Sequence, residues 1–328
     1  MGIPSGLGAQ LGIATESAYG TYAAPTTFLK PTSESIQRTN NYVRTFGLGS
    51  GSLVQDASLH TLTTHTAAGG FVLDVRDKGF GKLLNMLHGN TVTPTSLTGG
   101  LYRQQHDIGL TSPTGKSLTV QVGRPDITGT VQPFSYLGSK VTQLVFTLDL
   151  NGVVSASVTL DAQDEVTSQA LATATFPTGA VPFSFTNATI QFDGVLLTDV
   201  VTSATVTIPL PQKVDRFGIG GGAIKKEPVV NGAMAPTIAL NMEFANLNQL
   251  TAFQNATTRK LQLLCTGSTT SGTFTSGLNF TAYATRTTAA NPVVSGPDVL
   301  SQQVQLEVVN NSTNPPLTIE YIGGDSAL

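Results

Sequence analysis

Two glycine-rich strings, RTFGLGSGSL at 44–53 and DRFGIGGGAI at 215–224, are the first residues of this 328-residue chain whose types and spacing suggest chemistry. Glycine clusters cradle phosphates when they turn a strand into a helix whose N-terminal N–H groups face the anion. The continuations SLVQDASLHTL and AIKKEPVVNGA have no helical period, so the strings read as loops in which glycine supplies positive φ and sharp exits from a sheet. GLTSPTGKS at 109–117 falls short of a phosphate loop: Leu110 stands where the first glycine is required, and the strand LTVQV comes next instead of a helix.

The other reactive side chains are equally unpromising. His60, His65, His88 and His106 have no metal-ligand spacing, and His60 and His65 read as part of a solvated, Thr-rich loop. Asp161, Asp164 and Glu165 in LDAQDE lack the glycine and distal glutamate of a calcium loop. No nucleophile elbow occurs, and paired carboxylates for glycan hydrolysis would lack tryptophan for sugar stacking, since the chain has none. The expectation is a protein that is not an enzyme and holds no cofactor and no metal. Charged residues make up 11% and the net charge is −3, with no basic run to grip nucleic acid. Such a weakly charged, Thr-rich surface is poorly defended against self-association. The lone Cys265, in the apolar run LQLLC, suits a reducing compartment and a core position. The N-terminal residues lack a signal-peptide pattern and no stretch has membrane-span length, so no membrane is expected.

The elements around the glycine strings occur twice. Phe71, Leu73 and Val75 alternate on a strand, and Phe80, Leu83, Leu84 and Leu87 then take helical spacing, with Asp77 as a candidate N-cap. Ile238, Leu240 and Met242 alternate likewise, ahead of Leu247, Leu250 and Phe253, with Asn246 and Gln249 as the cap signal. SLTVQV at 117–122 has its counterpart in KLQLLC at 260–265. The run 141–162, turning at Asn151-Gly152, reads as a hairpin, and 302–322 as a second one with a proline-closed turn. Five matched elements in one order predict a duplicated, mainly β fold. The divisions expected are an extended arm at 1–35, a first domain at 36–166, a connector at 167–182 and a second domain at 183–328.

GLGAQLGIATESAYGTYAAPTTFL, VRDKGFGKLL, GKSLTVQVGRPD, QPFSYLGSKVTQLVFTLDLNGVVSASVTLDAQDE and RFGIGGGAIKKEPVVNG together resemble the major tail tube proteins of long-tailed, siphovirus-type bacteriophages. The resemblance covers nearly the whole chain and rests on structural motifs in order. It implies two tandem tube domains, each a β-sandwich or half-barrel with one short flanking α-helix. In that family six domains close into a ring by edge-to-edge strand pairing, and rings stack into a hollow tube that conducts DNA from head to host cell. With two domains per chain, three chains would make a pseudo-hexameric ring. The implied partners are the chain itself, a tape-measure protein and tail-tip or terminator proteins, with DNA passing through the lumen without sequence-specific binding. The implied location is the virion tail, after assembly in the host bacterial cytoplasm. The family's long loop before the strand-helix unit reaches the neighbouring ring. Here that makes Gly47, Gly49, Gly51 and Asp56 in one loop, and Gly218, Gly220, Gly221, Gly222, Lys225, Lys226 and Glu227 in the other, the candidate inter-ring contacts. A capsid or tail decoration protein and the tube of a contractile injection machine are the alternatives.

Overall fold

The computed structural model describes residues 5–45, 51, 53–54, 56–294 and 296–328, and it is built almost wholly of antiparallel strands. The first half runs β1 (Gln10–Thr15), β2 (Thr27–Leu29), β3 (Pro31–Glu34), β4 (Gln37–Arg44), β5 (His60–Asp74), helix α1 (Gly81–Leu84), β6 (Thr95–Ser96), β7 (Tyr102–Ile108), β8 (Leu118–Pro125), β9 (Val131–Asp149), β10 (Ser155–Ala162) and β11 (Asp164–Val166). The second half runs β12 (Ala188–Phe192), β13 (Val195–Leu196), β14 (Val201–Pro209), β15 (Gln212–Lys213), β16 (Val229–Val230), β17 (Thr237–Glu243), helix α2 (Asn248–Gln254), β18 (Thr258–Ser271), β19 (Phe274–Ala289), β20 (Ser301–Val308) and β21 (Leu317–Gly323).

The pairing order repeats. In the first half β3 and β4 pair with β5, β5 with β10, and β10 with β9. In the second, β14 pairs with β17, β17 with β20, and β20 with β19. The N-terminal stretch of β9 then pairs with β8, which carries β1, just as β19 pairs with β18, which carries β12. Between the two runs, β14 lies against residues 143–149 of β9. One continuous sheet results, in the order β3/β4, β5, β10, β9, β14, β17, β20, β19. Strand β7 has no counterpart and crosses over to pair with β21.

Irregularities repeat as well. The ladder of β9 and β10 slips at Thr142, and that of β19 and β20 slips at Thr288. Each extra threonine turns its hydroxyl onto a carbonyl of the facing strand, Thr159 and Gln305 respectively, at 3.3 Å. Thr32 on β3 and Thr202 on β14 do the same at the start of each four-strand run, donating to Val72 at 3.1 Å and Asn241 at 3.2 Å. A bulge frees a backbone acceptor, and threonine both fits a pleated strand and satisfies it. The strand match is therefore Phe71 with Leu240 and Leu73 with Met242, because Val158 and Val304 face them. Parity is kept, and all four side chains are buried.

Several local expectations are corrected. The 302–322 segment is not a hairpin: β20 and β21 do not pair with each other but lie end to end along β19, as β10 and β11 lie along β9. The Asn151-Gly152 turn holds, with Asn151 at φ 59°. Helix α1 is only one turn, extended by a 3-10 turn at Asn85–Leu87, and Asp77 does not cap it. Its carboxylate instead accepts from the Val181 N–H at 2.8 Å and the Thr269 hydroxyl at 2.5 Å. Within residues 1–35, β1 sits between β2 and β8 and buries Leu11 and Ile13 completely.

A single apolar cluster spans both halves. Phe146 of β9 stacks edge-on with Phe80, ahead of α1, at 5.8 Å and with Phe280 of β19 at 4.9 Å. Beside this cluster lies a buried histidine pair to which sequence reasoning gave no role. His88 Nε2 is 3.0 Å from His106 Nδ1, and neither ring is exposed. Burial, with Lys116 as a neighbouring cation, lowers the His88 pKa to about 4, while Asp107 opposes. Burial, His88 and Lys116 lower that of His106 to about 3. Both stay neutral in the folded chain while the unfolded chain takes up protons below the ordinary histidine value of 6.5, so stability is full above that pH and falls as pH drops towards about 4. At one pH unit below 6.5 each ring removes about 1.4 kcal/mol at most. We expect urea midpoints to fall steeply from pH 6.5 to 5, and the His88→Asn/His106→Gln variant to show a flatter profile. Parallel profiles would rule the pair out as the source.

Candidate assembly surface

The two glycine strings fall between paired strands in the chain order. The first comes between β4 and β5 in sequence, the second between β15 and β16, which pair Gln212 with Val230 as a separate two-stranded sheet. Gly47 and Gly49 lie outside the described residues. Gly51, at φ 64°, has open space where a Cβ would stand. In the second tip Gly218, Gly220, Gly221 and Gly222 are exposed, and Gly221 N–H closes a turn onto the Gly218 carbonyl at 3.0 Å. Gly220 and Gly222 take φ of 80° and 65°, which glycine allows without strain. Ile219 projects fully into solvent between them.

The charges after the second string behave differently. Lys225 is fully buried, with its ammonium 2.5 Å from the Asp161 carboxylate on β10. Its backbone carbonyl accepts from Gln163 at 2.9 Å. Glu227 receives the buried Lys140 ammonium of β9 at 2.5 Å and the Gly115 N–H at 2.6 Å. Lys140 and Asp161 face each other across the β9–β10 ladder. Two opposite charges on the first half are thus met by two complementary charges from the second half's loop. Burial pushes the Asp161 carboxyl up, and the Lys225 hydrogen bond and charge pull it back. The Tyr19 phenol, packed beside Asp161 and Glu227, is raised by burial first and then by those carboxylates. Only Lys226 of the three is exposed, its N–H held by the Arg216 carbonyl at 2.9 Å.

Asp56 stands alone by comparison. It is exposed and caps Ser58, accepting its N–H and hydroxyl at 2.8 Å each. Those bonds hold its pKa below the usual carboxylate range. The structure therefore brings Lys225 and Glu227 together on the chain's own first half, and leaves Gly218–Gly222, Lys226 and Asp56 facing outward. Sequence reasoning missed Lys140 and Asp161 as the acceptor pair. Their signal was a Lys and an Asp at strand positions that face each other across the Asn151-Gly152 turn.

The sheet has two unlike ends. Among the described residues, strands β3 and β4 pair only with β5. At the other end β19 stops at Ala289, and Val293 and Val294 beyond it are exposed. Tyr42 and Val43 on β4 are half exposed. Open strand edges with apolar side chains favour pairing with further chains. Among the described residues no group of His, Cys, Asp and Glu is arranged to hold a metal ion, and no helix is long and apolar enough to cross a membrane. His65, placed by sequence in a solvated loop, is buried on β5 with its Nε2 2.9 Å from Asp164.

Compared with known proteins, the chain matches the family model described as phage tail tube protein over residues 6–308. No curated protein matches it. A match across nearly the whole chain, on a mainly β architecture with open edges, identifies a structural protein of the virion tail: the chain belongs to the phage tail tube protein family.

Proposed function

We infer that this chain polymerises into stacked rings that form the hollow tube of a long, siphovirus-type tail and conduct DNA from head to host cell. Each chain supplies two tube domains, so three chains close a ring of six. The observation that carries this reading is the β9–β14 ladder. There the last strand of one four-strand run is continued by the first strand of the next, within a single chain. Repetition of that junction between chains has no free end until a ring closes, and closure removes edges. The repeated pairing order and the four threonine bulges support the duplication. The net charge of −3 suits a lumen through which DNA slides, because affinity accumulates with every phosphate neutralised. Tape-measure and tail-tip or terminator proteins are the further partners.

Electron microscopy of the assembled protein, averaged without imposed symmetry, tests this. Hollow stacked rings of three chains are the expected result. Six chains per ring would keep the tube and remove the duplication. Discrete particles that never stack, even with tail-tip components, would favour a decoration protein. The exposed Gly218–Gly222 turn and Lys226 are the proposed inter-ring contact, so Lys226→Glu, which touches no buried pair, should shorten tubes while leaving single rings intact. Unchanged tube length would move the inter-ring contact elsewhere.

A further inference from the structure

We propose that the junction between chains is a residue-for-residue copy of the junction inside the chain, with a second copy of this chain presenting β3, β4 and Asp56 to Ala289–Val294 and Arg286. This rests on the ring-forming reading above and specifies its contact.

The copy is built from two constant offsets. Lys140 corresponds to Arg286, Thr142 to Thr288 and Asp161 to Glu307, and the two ladders slip at the same point. Thr202 corresponds to Thr32, and Thr207 to Gln37, by the pairing of each with β17 or β5. Inside the chain, Thr205 faces Thr147, Thr207 faces Val145 and Pro209 faces Gln143. Carried over, Ser35 of one chain faces Val293 of the next, Gln37 faces Asn291 and Thr39 faces Ala289. Strand β9 continues to Asp149 where β14 pairs with it, whereas β19 ends at Ala289 where nothing does. The missing strand is thus the one a neighbour would complete.

The charges agree. Aligning the two glycine strings places Asp56 where Glu227 stands. Glu227 pairs with Lys140, and the position matching Lys140 is Arg286, which is exposed and has no ion pair among the described residues. Arg286 also faces Glu307 across its ladder, as Lys140 faces Asp161. An acid on the first loop and a base on the second half's edge are complementary only between chains.

One rung differs and is accounted for. Leu210 N–H bonds Thr142 O at 2.8 Å, and Leu150 N–H bonds Thr202 O at 3.2 Å. This phase turns the backbone groups of Phe146 towards Val206. The copied position is Pro292, which has no N–H to give, facing Ile36. The Ile36 carbonyl already accepts from Arg124 at 2.6 Å and the Tyr136 hydroxyl at 2.7 Å, and its N–H is held by Glu34 at 3.2 Å. The Ile36 groups thus keep their own partners, and proline is tolerated at such an edge.

Ser35 and Val293 then form a non-hydrogen-bonded pair, whose short Cα separation suits a disulfide. Full-length Ser35→Cys/Val293→Cys, assembled under reducing conditions and then oxidised, should give covalent dimers and trimers and nothing larger; the buried Cys265 does not compete. Ser35→Cys/Val299→Cys is the off-register control and should not cross-link. Independently, Asp56→Arg and Arg286→Asp should each lower the assembled fraction at least about tenfold, and the double variant should recover it. Tubes that form but never cross-link at 35 and 293, with no rescue by the double swap, overturn the copied junction and leave the tube role standing. Wild-type protein that never forms tubes with its tail partners overturns the tube role itself. Should the cysteines hinder assembly, the charge swap decides alone.

Discussion

Lys225→Ala is expected to lower unfolding stability by about 3–5 kcal/mol, the range for removing one partner of a buried ion pair. The ammonium is fully enclosed and lies 2.5 Å from Asp161. Truncation leaves a carboxylate that burial already pushes upward, without the group that opposes that shift. The deficit should depend on pH in a defined sense. With its folded pKa raised further above the unfolded one, Asp161 favours the folded state below the unfolded pKa and loses that contribution as pH rises through the folded value. The variant should therefore recover part of its deficit as pH falls from 7 towards the raised pKa. Lys225→Met/Asp161→Leu, which removes both charges, should regain much of the loss, since buried pairs replaced by apolar groups are often neutral or better. Urea midpoints of the three proteins at two pH values decide this. A Lys225→Ala midpoint within about 0.5 kcal/mol of wild type would mean that the 214–228 loop does not dock on the first half in solution. The charge complementarity proposed between chains would then lose its template.

The cluster also shows where sequence reading stopped. The recurrence of alternation and helical spacing was legible, because both are local patterns that strands and helices impose. Its register was not. Matching Phe71 with Ile238 satisfies alternation as well as matching it with Leu240, since a two-residue slip preserves which face is buried. Only the ladder to β10 and β20, with bulges at Thr142 and Thr288, separates the two. Strand β1 was obscured because its glycine and alanine sit among buried residues, and burial on both faces erases alternation. The charged triplet at 225–227 looked like a solvated tip for a different reason. Burial of Lys225 and the half-burial of Glu227 are set by Asp161 and Lys140, far away in sequence, and a Lys-Lys-Glu run carries no local mark of such partners. The reading of 302–322 as a hairpin failed because two apolar strands joined by a proline-bearing turn look alike whether they fold back or continue along a third strand.

Phe146→Ala should cost about 3–5 kcal/mol, and its consequence reaches beyond stability. The ring sits at the seam. It contacts Phe80 beside the first helix and Phe280 on the second half's long strand, while its backbone pairs with Ala156 on one side and Val206 on the other. Each edge-on contact adds about 0.5–1.5 kcal/mol beyond buried area, so Phe146→Leu, which loses both but keeps most of the apolar bulk, should cost about 1–3 kcal/mol. Because one apolar cluster serves both halves, wild-type protein should unfold in a single transition. Calorimetry of Phe146→Ala tests whether this side chain makes it so. A split into two transitions means that the aromatic seam couples the halves, whereas one shifted transition means that the β9–β14 ladder does so without it. A loss under about 1 kcal/mol would show instead that the seam is loosely packed. The matching position in the second half is Pro292, where no ring could serve a seam. A chain whose two halves are fused by an aromatic cluster, and whose outer edge carries a proline in its place, fits the proposal of one permanent junction and one that forms on assembly.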